Sequence, residues 1–420
     1  MKFAVAVHGT RGDVEPCAAV GRELVRRGHD VRIAVPPDLT TFVEAAGLPA
    51  VTGYGISTQE QTDSDVFRDW WKPRNPLRAL REAREYATAG WGEMSRTLDD
   101  LTGGTDLVLT GTTYQEVAAN VAEKQGVPFA TMHYFPARPN SKLVPVRLPA
   151  PLIISGMKSA EWAYWRLIKP AEDDQRRDLA MPPTTTPSPR RIVENGSLEI
   201  QAYDEALFPG LNDEWRGRRP FVGSITLELE TAADEDVAHW IAAGSAPIYF
   251  GFGSTPVDSP REMLGVIESV CAELGKRALV TAGSAEWAGL SHSTATKIVP
   301  SVHYPSVFPA CRAVVHHGGA GTLAAAIRAG VPSVALWSVA DQPLWASRAE
   351  VLKIGKSRRF SRTTRETLLA DLRTVSAPDY AARNRALAEH MTNPADGVSR
   401  AADLLEETAS TGRFPTNDGH

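Results

Sequence analysis

The chain has 420 residues, is 43% hydrophobic and 23% charged, and carries a formal net charge of −5. That composition excludes a disordered or fibrous chain, and the whole molecule has no electrostatic footprint for nucleic acid. The length sets an expectation of two or three domains. Residues 3–7 are a continuous apolar run, as in a strand buried on both faces of a parallel sheet. His8-Gly9-Thr10-Arg11-Gly12-Asp13 is a glycine-punctuated loop, and residues 15–27 place Cys17, Val20 and Leu24 on one helical face. Gly28 stops that helix and residues 30–35 form the next strand, which completes a βαβ unit and predicts a parallel sheet.

The rhythm returns with a strand at 107–109, a helix through Val117, Ala118 and Val121, and a strand at 128–132. Residues 60–100 break it, with Phe67, Trp70, Trp71 and Trp91 set among Arg68, Lys72, Arg74, Arg78 and Arg81. Residues 135–190, rich in proline and containing Trp162, Tyr164 and Trp165, read as irregular. A second α/β series opens near Phe221, with strands at 248–252, 278–281, 313–316 and 333–336. A helix runs through Met263, Ile267, Val270 and Leu274, and a Gly- and Ala-rich helix covers 319–329. The predicted fold class is α/β, with two doubly wound halves joined around 205–222. The polar residues from Thr408 onward read as frayed. Three cysteines, Cys17, Cys271 and Cys311, are too few and too scattered for a disulfide framework or a cysteine-rich zinc site. A reducing cytosol is the simplest setting. The apolar N-terminal run is too short for a secretory signal, and no run approaches the length of a bilayer span. The expected location is cytoplasmic, with at most peripheral contact at the inner face of a membrane.

In open α/β sheets ligands sit at the carboxyl ends of the strands, where the glycine-rich loops at 8–13, 251–255 and 316–322 all fall. The richest, His316-His317-Gly318-Gly319-Ala320-Gly321-Thr322, leaves an apolar strand and opens a helix. Glycines let the backbone approach a ligand, and amides at a helix start attract an anion. A dinucleotide site would want an acidic residue at the end of the second strand, but those strands end Val35-Pro36-Pro37 and Leu336-Trp337-Ser338. No phosphate loop with its lysine is present.

The 316–322 loop, followed by Gly330-Val331-Pro332 and Asp341-Gln342-Pro343, resembles the donor signature of the family-one GT-B glycosyltransferases. Gly9-Thr10-Arg11-Gly12-Asp13-Val14-Glu15-Pro16 is similar to the bacterial and sterol branch, which includes the vancomycin-group enzymes, and Phe250-Gly251-Phe252-Gly253-Ser254 to a third family element. Ser197-Leu198-Glu199-Ile200-Gln201-Ala202-Tyr203 and Phe221-Val222-Gly223 resemble the mycobacterial glycopeptidolipid glycosyltransferases. The resemblance spans nearly the whole chain. It implies two Rossmann-like domains facing across a cleft. An acceptor-binding domain would span 1–205, a linker 206–222 and a nucleotide-sugar domain 223–390. A helix at 391–407 would cross back, leaving a disordered tail at 408–420.

The implied reaction is inverting and metal-independent. A hexose, or a deoxyhexose such as rhamnose, would pass from a UDP- or dTDP-sugar to a hydroxyl of a lipid, lipopeptide or related hydrophobic acceptor. The nucleotide sugar is a co-substrate, and the resemblance implies neither a cofactor nor a metal. Asp13 takes the place of the base, with Gly9, Thr10 and Gly12 supporting its loop, and His8 at the strand end is the competing candidate. The donor would be held by Ser254, Val302, His303, His316, Gly319, Ala320, Gly321, Thr322, Asp341 and Gln342. Trp70, Trp71 and Tyr134 are the candidate acceptor-binding residues, in keeping with an amphiphilic acceptor or a membrane-surface patch around 67–91. Alternatives are an N-terminal helix cap for Asp13, a packed histidine for His8, and a solvated amphipathic helix for 67–91. Whole-chain alternatives are a nucleotide-sugar epimerase of the same fold and a non-catalytic nucleotide-sugar binder.

Overall fold

A computed structural model of the chain describes residues 1–63, 76–143, 148–227, 229, 231–253, 255, 257–282, 285–290 and 292–414. The chain forms two compact units, Met1–Leu227 with Thr392–His420, and Glu228–Met391.

In the first unit, β1 (Lys2–Ala6), β2 (Asp30–Val35), β3 (Val51–Gly53), β4 (Leu107–Thr110), β5 (Phe129–His133) and β6 (Leu198–Gln201) form a sheet in the order β3-β2-β1-β4-β5-β6. Every pairing is parallel, and Phe3 pairs with Val31 on one side and Leu107 on the other. A central parallel strand is covered on both faces, so Phe3, Ala4, Val5 and Ala6 are all fully buried. Burial of side chains such as Phe3 and Val5 stabilises the unit by about 1.5–3 kcal/mol each. Helix α1 (Arg11–Arg26) starts directly after β1 and buries Cys17, Val20 and Leu24.

The intervening segments are more regular than the sequence predicts. Helix α2 (Pro76–Ala87) and a helix at Trp91–Thr102 occupy part of the 60–100 region, and Trp91 lies in the core with Met94 and Leu98. After α3 (Gln115–Gln125), the proline-rich stretch expected to be irregular contains the 29-residue helix α4 (Ala150–Asp178). Its prolines obscure it. Pro149 caps the helix and Pro151 lies in the first turn, where no intrahelical amide is needed, while Pro170 is exposed. A buried stripe at Trp165, Ile168, Glu172 and Gln175 holds α4 onto the unit.

The residues expected to form a linker, 206–222, belong to the first unit. Phe221 bridges to Gln201 of β6, and the Leu227 amide donates to Glu15. The second sheet follows in the order β12-β11-β10-β7-β8-β9. Its strands are β7 (Ile248–Gly251), β8 (Ala278–Thr281), β9 (Thr296–Val299), β10 (Ala313–His316), β11 (Ser333–Trp337) and β12 (Gly355–Arg359). Helix α5 (Ala320–Arg328) follows β10, and α6 (Gln342–Val351) follows β11.

The last helix, α7 (Pro394–Thr411), belongs to the first unit and packs on α1. Arg27 donates to Asp403, Glu406 and Ser399, and His29 pairs with Glu406. Gly397 lies so close to the Val222 carbonyl that a Cβ would stand 2.3 Å from its oxygen. The helix runs past Thr408, where the sequence predicts fraying, because Thr408 is buried and donates to the Leu404 carbonyl.

Candidate functional site

Both sheets reverse strand order once, between β1 and β4 and between β7 and β10. Such a reversal opens a crevice at the carboxyl ends, because the connections on its two sides leave toward opposite faces. His8 to Asp13 lie at the first of these points and His316 to Thr322 at the second, while Asp341 and Gln342 follow the neighbouring β11 and Val302 and His303 follow the edge strand β9.

At the first, β1 ends at Ala6, His8 and Gly9 lie in the loop that follows, and Thr10 caps α1. The Asp13 carboxylate accepts from the Thr10 amide (2.8 Å) and hydroxyl (3.2 Å), a capping box in the first helical turn. Gly9 is at φ +135°, and a Cβ there would stand 2.3 Å from Asp13 Oδ2, so this approach admits only glycine. Gly12 is exposed in the same turn. Capping and catalytic service are compatible for Asp13, which is partly exposed.

His8 is fully buried. Its Nε2–H donates to the Ile56 carbonyl (2.9 Å), its ring meets Tyr114 edge-on at 5.0 Å, and its Nδ1 has no partner. Burial pushes its pKa down, so the ring is neutral. Tyr114, held at φ 58°, was not signalled by any motif. Tyr134, a candidate acceptor contact, is tied to the Asp13 loop. It is buried, and its hydroxyl donates to the Asp13 carbonyl (2.6 Å), so it braces the loop that carries the carboxylate. Trp70 and Trp71 lie outside the described residues.

At the second reversal, β10 delivers His316 fully buried at its end. The Gly318 amide donates to His316 Nδ1 (3.1 Å), which leaves the hydrogen on Nε2, and that buried atom has no partner among the described residues. Burial pushes the ring down to a pKa of about 3, so it is a neutral donor. Gly319 takes the cap position of α5 with no side chain to offer, so the amides of Ala320, Gly321 and Thr322 open the helix uncapped by that residue. Gly318, at φ +89°, sits against Gln342, and a Cβ at Gly253 would stand 2.9 Å from the His317 ring. The exits of β7, β10 and β11 therefore touch one another.

Asp341 caps α6 and accepts from the buried Trp345 indole (2.9 Å), and burial raises its pKa. Gln342 Oε1 accepts from the Ser338 (2.8 Å) and Val339 (3.2 Å) amides. That oxygen is spent on bracing the loop. The Gln342 side-chain amide NH₂ is left for a ligand. Ala340 between them is held at φ 56°, a strained conformation for a side chain with a Cβ. Val302 is buried, and the His303 amide donates to Asp234 (2.8 Å), which fixes the loop. Ser254 lies outside the described residues. Among the described residues, no three His, Cys, Asp or Glu side chains converge as a metal site would require. No helix among them is long and apolar enough to cross a membrane.

A cleft start, a neutral buried donor and a helix N-terminus together suit an anionic ligand such as a diphosphate. Residues 3–144 match the family model described as the Glycosyltransferase family 28 N-terminal domain. Residues 283–403 match the Erythromycin biosynthesis protein CIII-like, C-terminal domain. An uncharacterized glycosyltransferase of Mycobacterium tuberculosis (strain ATCC 25618 / H37Rv) is 54% identical over 414 residues, 98% of this chain and 100% of that one. The O-mycaminosyltylonolide 6-deoxyallosyltransferase of Streptomyces fradiae is 31% identical over 432 residues, 98% of each chain. The solved structure of a spinosyn rhamnosyltransferase complexed with thymidine diphosphate is similar with a TM-score of 0.66 at 17% identity, over 96% of this chain and 100% of that one.

Proposed function

The chain belongs to the GT-B glycosyltransferases of the macrolide and sterol type, which use nucleotide-sugar donors, and from that premise we propose its reaction. A hexose or deoxyhexose passes from a UDP- or dTDP-linked donor to a hydroxyl of a lipid, lipopeptide or related hydrophobic acceptor, with inversion and without a metal. The observation that carries the reading is His316 Nε2–H, buried and unpartnered beside the uncapped start of α5. An unpaired buried donor is costly, and a diphosphate oxygen offsets that cost.

In the reaction, the acceptor oxygen attacks the anomeric carbon as its proton passes to the Asp13 carboxylate. The bond from that carbon to the β-phosphate oxygen breaks, and its electron pair stays with the diphosphate. The developing charge is met by His316 Nε2–H and the amides of Ala320, Gly321 and Thr322. Because these donors address the leaving group directly, no cation is required there. The hydrophobic acceptor is supported by the acceptor named for the Streptomyces relative, O-mycaminosyltylonolide, and a dTDP donor by the thymidine diphosphate in the spinosyn rhamnosyltransferase structure.

A second reading gives the base to His8, whose ring is neutral and whose Nδ1 lone pair is unpartnered. Its complete burial favours Asp13, which an acceptor reaches more easily. The test is a hydrolysis and transfer screen across UDP- and dTDP-hexoses, with and without EDTA, with the product anomer read by NMR. Inverted product formed equally in EDTA is expected. Retention, or activity lost in EDTA and restored by magnesium, overturns the mechanism, and a new nucleotide sugar formed from donor alone makes the chain an epimerase.

A further inference from the structure

The first unit carries an exposed apolar face that its core does not use. Leu152 is 60% exposed and Trp162 55% exposed on α4, and Leu148 is 57% exposed just before it. At about 100° per residue, Leu152, Ser159, Trp162, Ala163 and Arg166 fall on one side of the helix, opposite the buried Trp165, Ile168 and Glu172. Leu80, 58% exposed, lies on α2, which packs against α4. Large apolar side chains standing out of one helical face cost solvation unless something covers them.

The exposed charges beside this face are mostly basic, with Arg78, Arg81 and Arg84 against Glu85 on α2. From Ala150 to Lys169 the basic residues are Lys158, Arg166 and Lys169, and Lys158 and Arg166 are exposed. The single acid over that stretch, Glu161, is turned inward to pair with Arg138 (3.2 Å). The Arg166 guanidinium lies 6.0 Å from the Trp162 ring. Glu172, Asp173 and Asp174, the next acids, fall in the last third of the helix, beyond this face. An exposed Leu and Trp flanked by Lys and Arg is the pattern of a helix lying in the interface of an anionic bilayer. There the indole sits at headgroup level and the cations meet lipid phosphates.

We propose that the first two-thirds of α4 docks this chain on an anionic lipid surface. The occupant is a bilayer rather than a second protein because the exposed cations beside the face, Lys158 and Arg166 on α4 and Arg78, Arg81 and Arg84 on α2, outnumber Glu85 and complement lipid phosphates. The proposal rests on the lipid-linked acceptor only for its purpose: it brings the enzyme to the surface where such an acceptor resides. The face belongs to the first unit, whereas the donor-binding candidates belong to the second.

The experiment is co-sedimentation of the full chain with vesicles of mixed phosphatidylcholine and phosphatidylglycerol, with pure phosphatidylcholine vesicles as the reference. Binding to the anionic vesicles that weakens with salt is expected. The Lys158→Glu with Arg166→Glu variant should lose binding by about tenfold or more. Leu152→Ser with Trp162→Ser should lose it at low salt as well. dTDP affinity by calorimetry should stay unchanged in both variants, which separates failure of this proposal from failure of the donor reading. Equal binding of the variants and the parent chain, or no preference for anionic vesicles, overturns the proposal. So does a concentration-dependent dimer in light scattering that the same substitutions abolish, because the face would then be covered by a second copy. A raised acceptor KM in the Leu152→Ser, Trp162→Ser variant with undiminished vesicle binding also overturns it, by making the face an acceptor wall.

Discussion

At His316 the ring acts as a neutral donor, because burial holds its pKa at about 3 and the Gly318 amide occupies Nδ1. Binding of a diphosphate should therefore not need a proton on the protein. Between about pH 8 and 6 the dTDP affinity should follow only the titration of the phosphate itself, whereas a charging imidazole would add a further rise. His316→Phe keeps the volume of the ring and removes Nε2–H. A hydrogen bond to a charged group contributes about 1.5–3 kcal/mol, so dTDP should bind roughly ten- to a hundredfold more weakly by calorimetry. Unchanged affinity would take the leaving group away from this residue. Asp13→Asn preserves shape and the capping acceptor while removing the base. Turnover should fall by about 10²–10⁴-fold with dTDP affinity intact. Near-normal turnover would pass the role to His8.

At the scale of elements, the start of α1 shows how a loop fixes a carboxylate. Three contacts converge there: the Thr10 amide and hydroxyl on Asp13 Oδ2, and the Tyr134 hydroxyl on the Asp13 carbonyl. Gly9 permits the turn, since any Cβ at φ +135° would enter the space of Asp13 Oδ2. Gly9→Ala should displace the side chain and lower kcat while leaving donor KM in place, because the donor residues belong to the second unit. Tyr134→Phe is the milder probe. It should lower stability by about 1 kcal/mol in urea unfolding and reduce kcat without moving dTDP affinity. If Tyr134→Phe instead raises acceptor KM alone, the residue touches the acceptor and does not brace the loop. On the donor side, Gln342 Oε1 and Asp341 Oδ2 are similarly committed to Ser338, Val339 and Trp345. These two residues hold a strained loop.

For the whole molecule, buried carboxylates set the pH range of stability. In the first unit, Glu199 is buried, but Arg138 and Arg219 bring it down to about 2. Glu116, in the first turn of α3, is buried with weaker compensation, and burial raises it to about 7. A carboxyl whose folded pKa lies above its unfolded value of 4.5 binds more protons in the native state. Its contribution is present below about pH 4.5 and is lost as pH rises through about 7. Glu116→Gln should be flatter in melting temperature across that window and more stable above it, by at most about 3 kcal/mol. Parallel melting curves for the variant and the parent chain would show that Glu116 is ionised throughout.

Local pattern was enough for the central strands, for α1 and α5, and for the loops at 8–13 and 316–322. Unbroken apolar runs, glycines at strand exits and helix starts are properties of neighbouring residues. The same short-range reading failed at α4, where Pro149 and Pro151 sit at the start of the helix but Pro170 interrupts its interior, and at β3, β6, β9 and β12, the edge strands of the two sheets. The candidate site residues were named by type and position, but their hydrogen bonds could not be. Ile56 on His8, Tyr134 on Asp13 and Gly318 against Gln342 are contacts between residues distant in sequence. Tyr134 read as an acceptor contact because nothing near it in sequence shows that its hydroxyl ends on Asp13. The sequence by itself determined the two parallel α/β halves and the loops that carry the chemistry, since backbone conformation and burial periodicity are local. The tertiary structure alone decided which polar atoms are spent on bracing and which, like His316 Nε2–H, remain for a ligand, because only folding brings their partners within hydrogen-bonding distance.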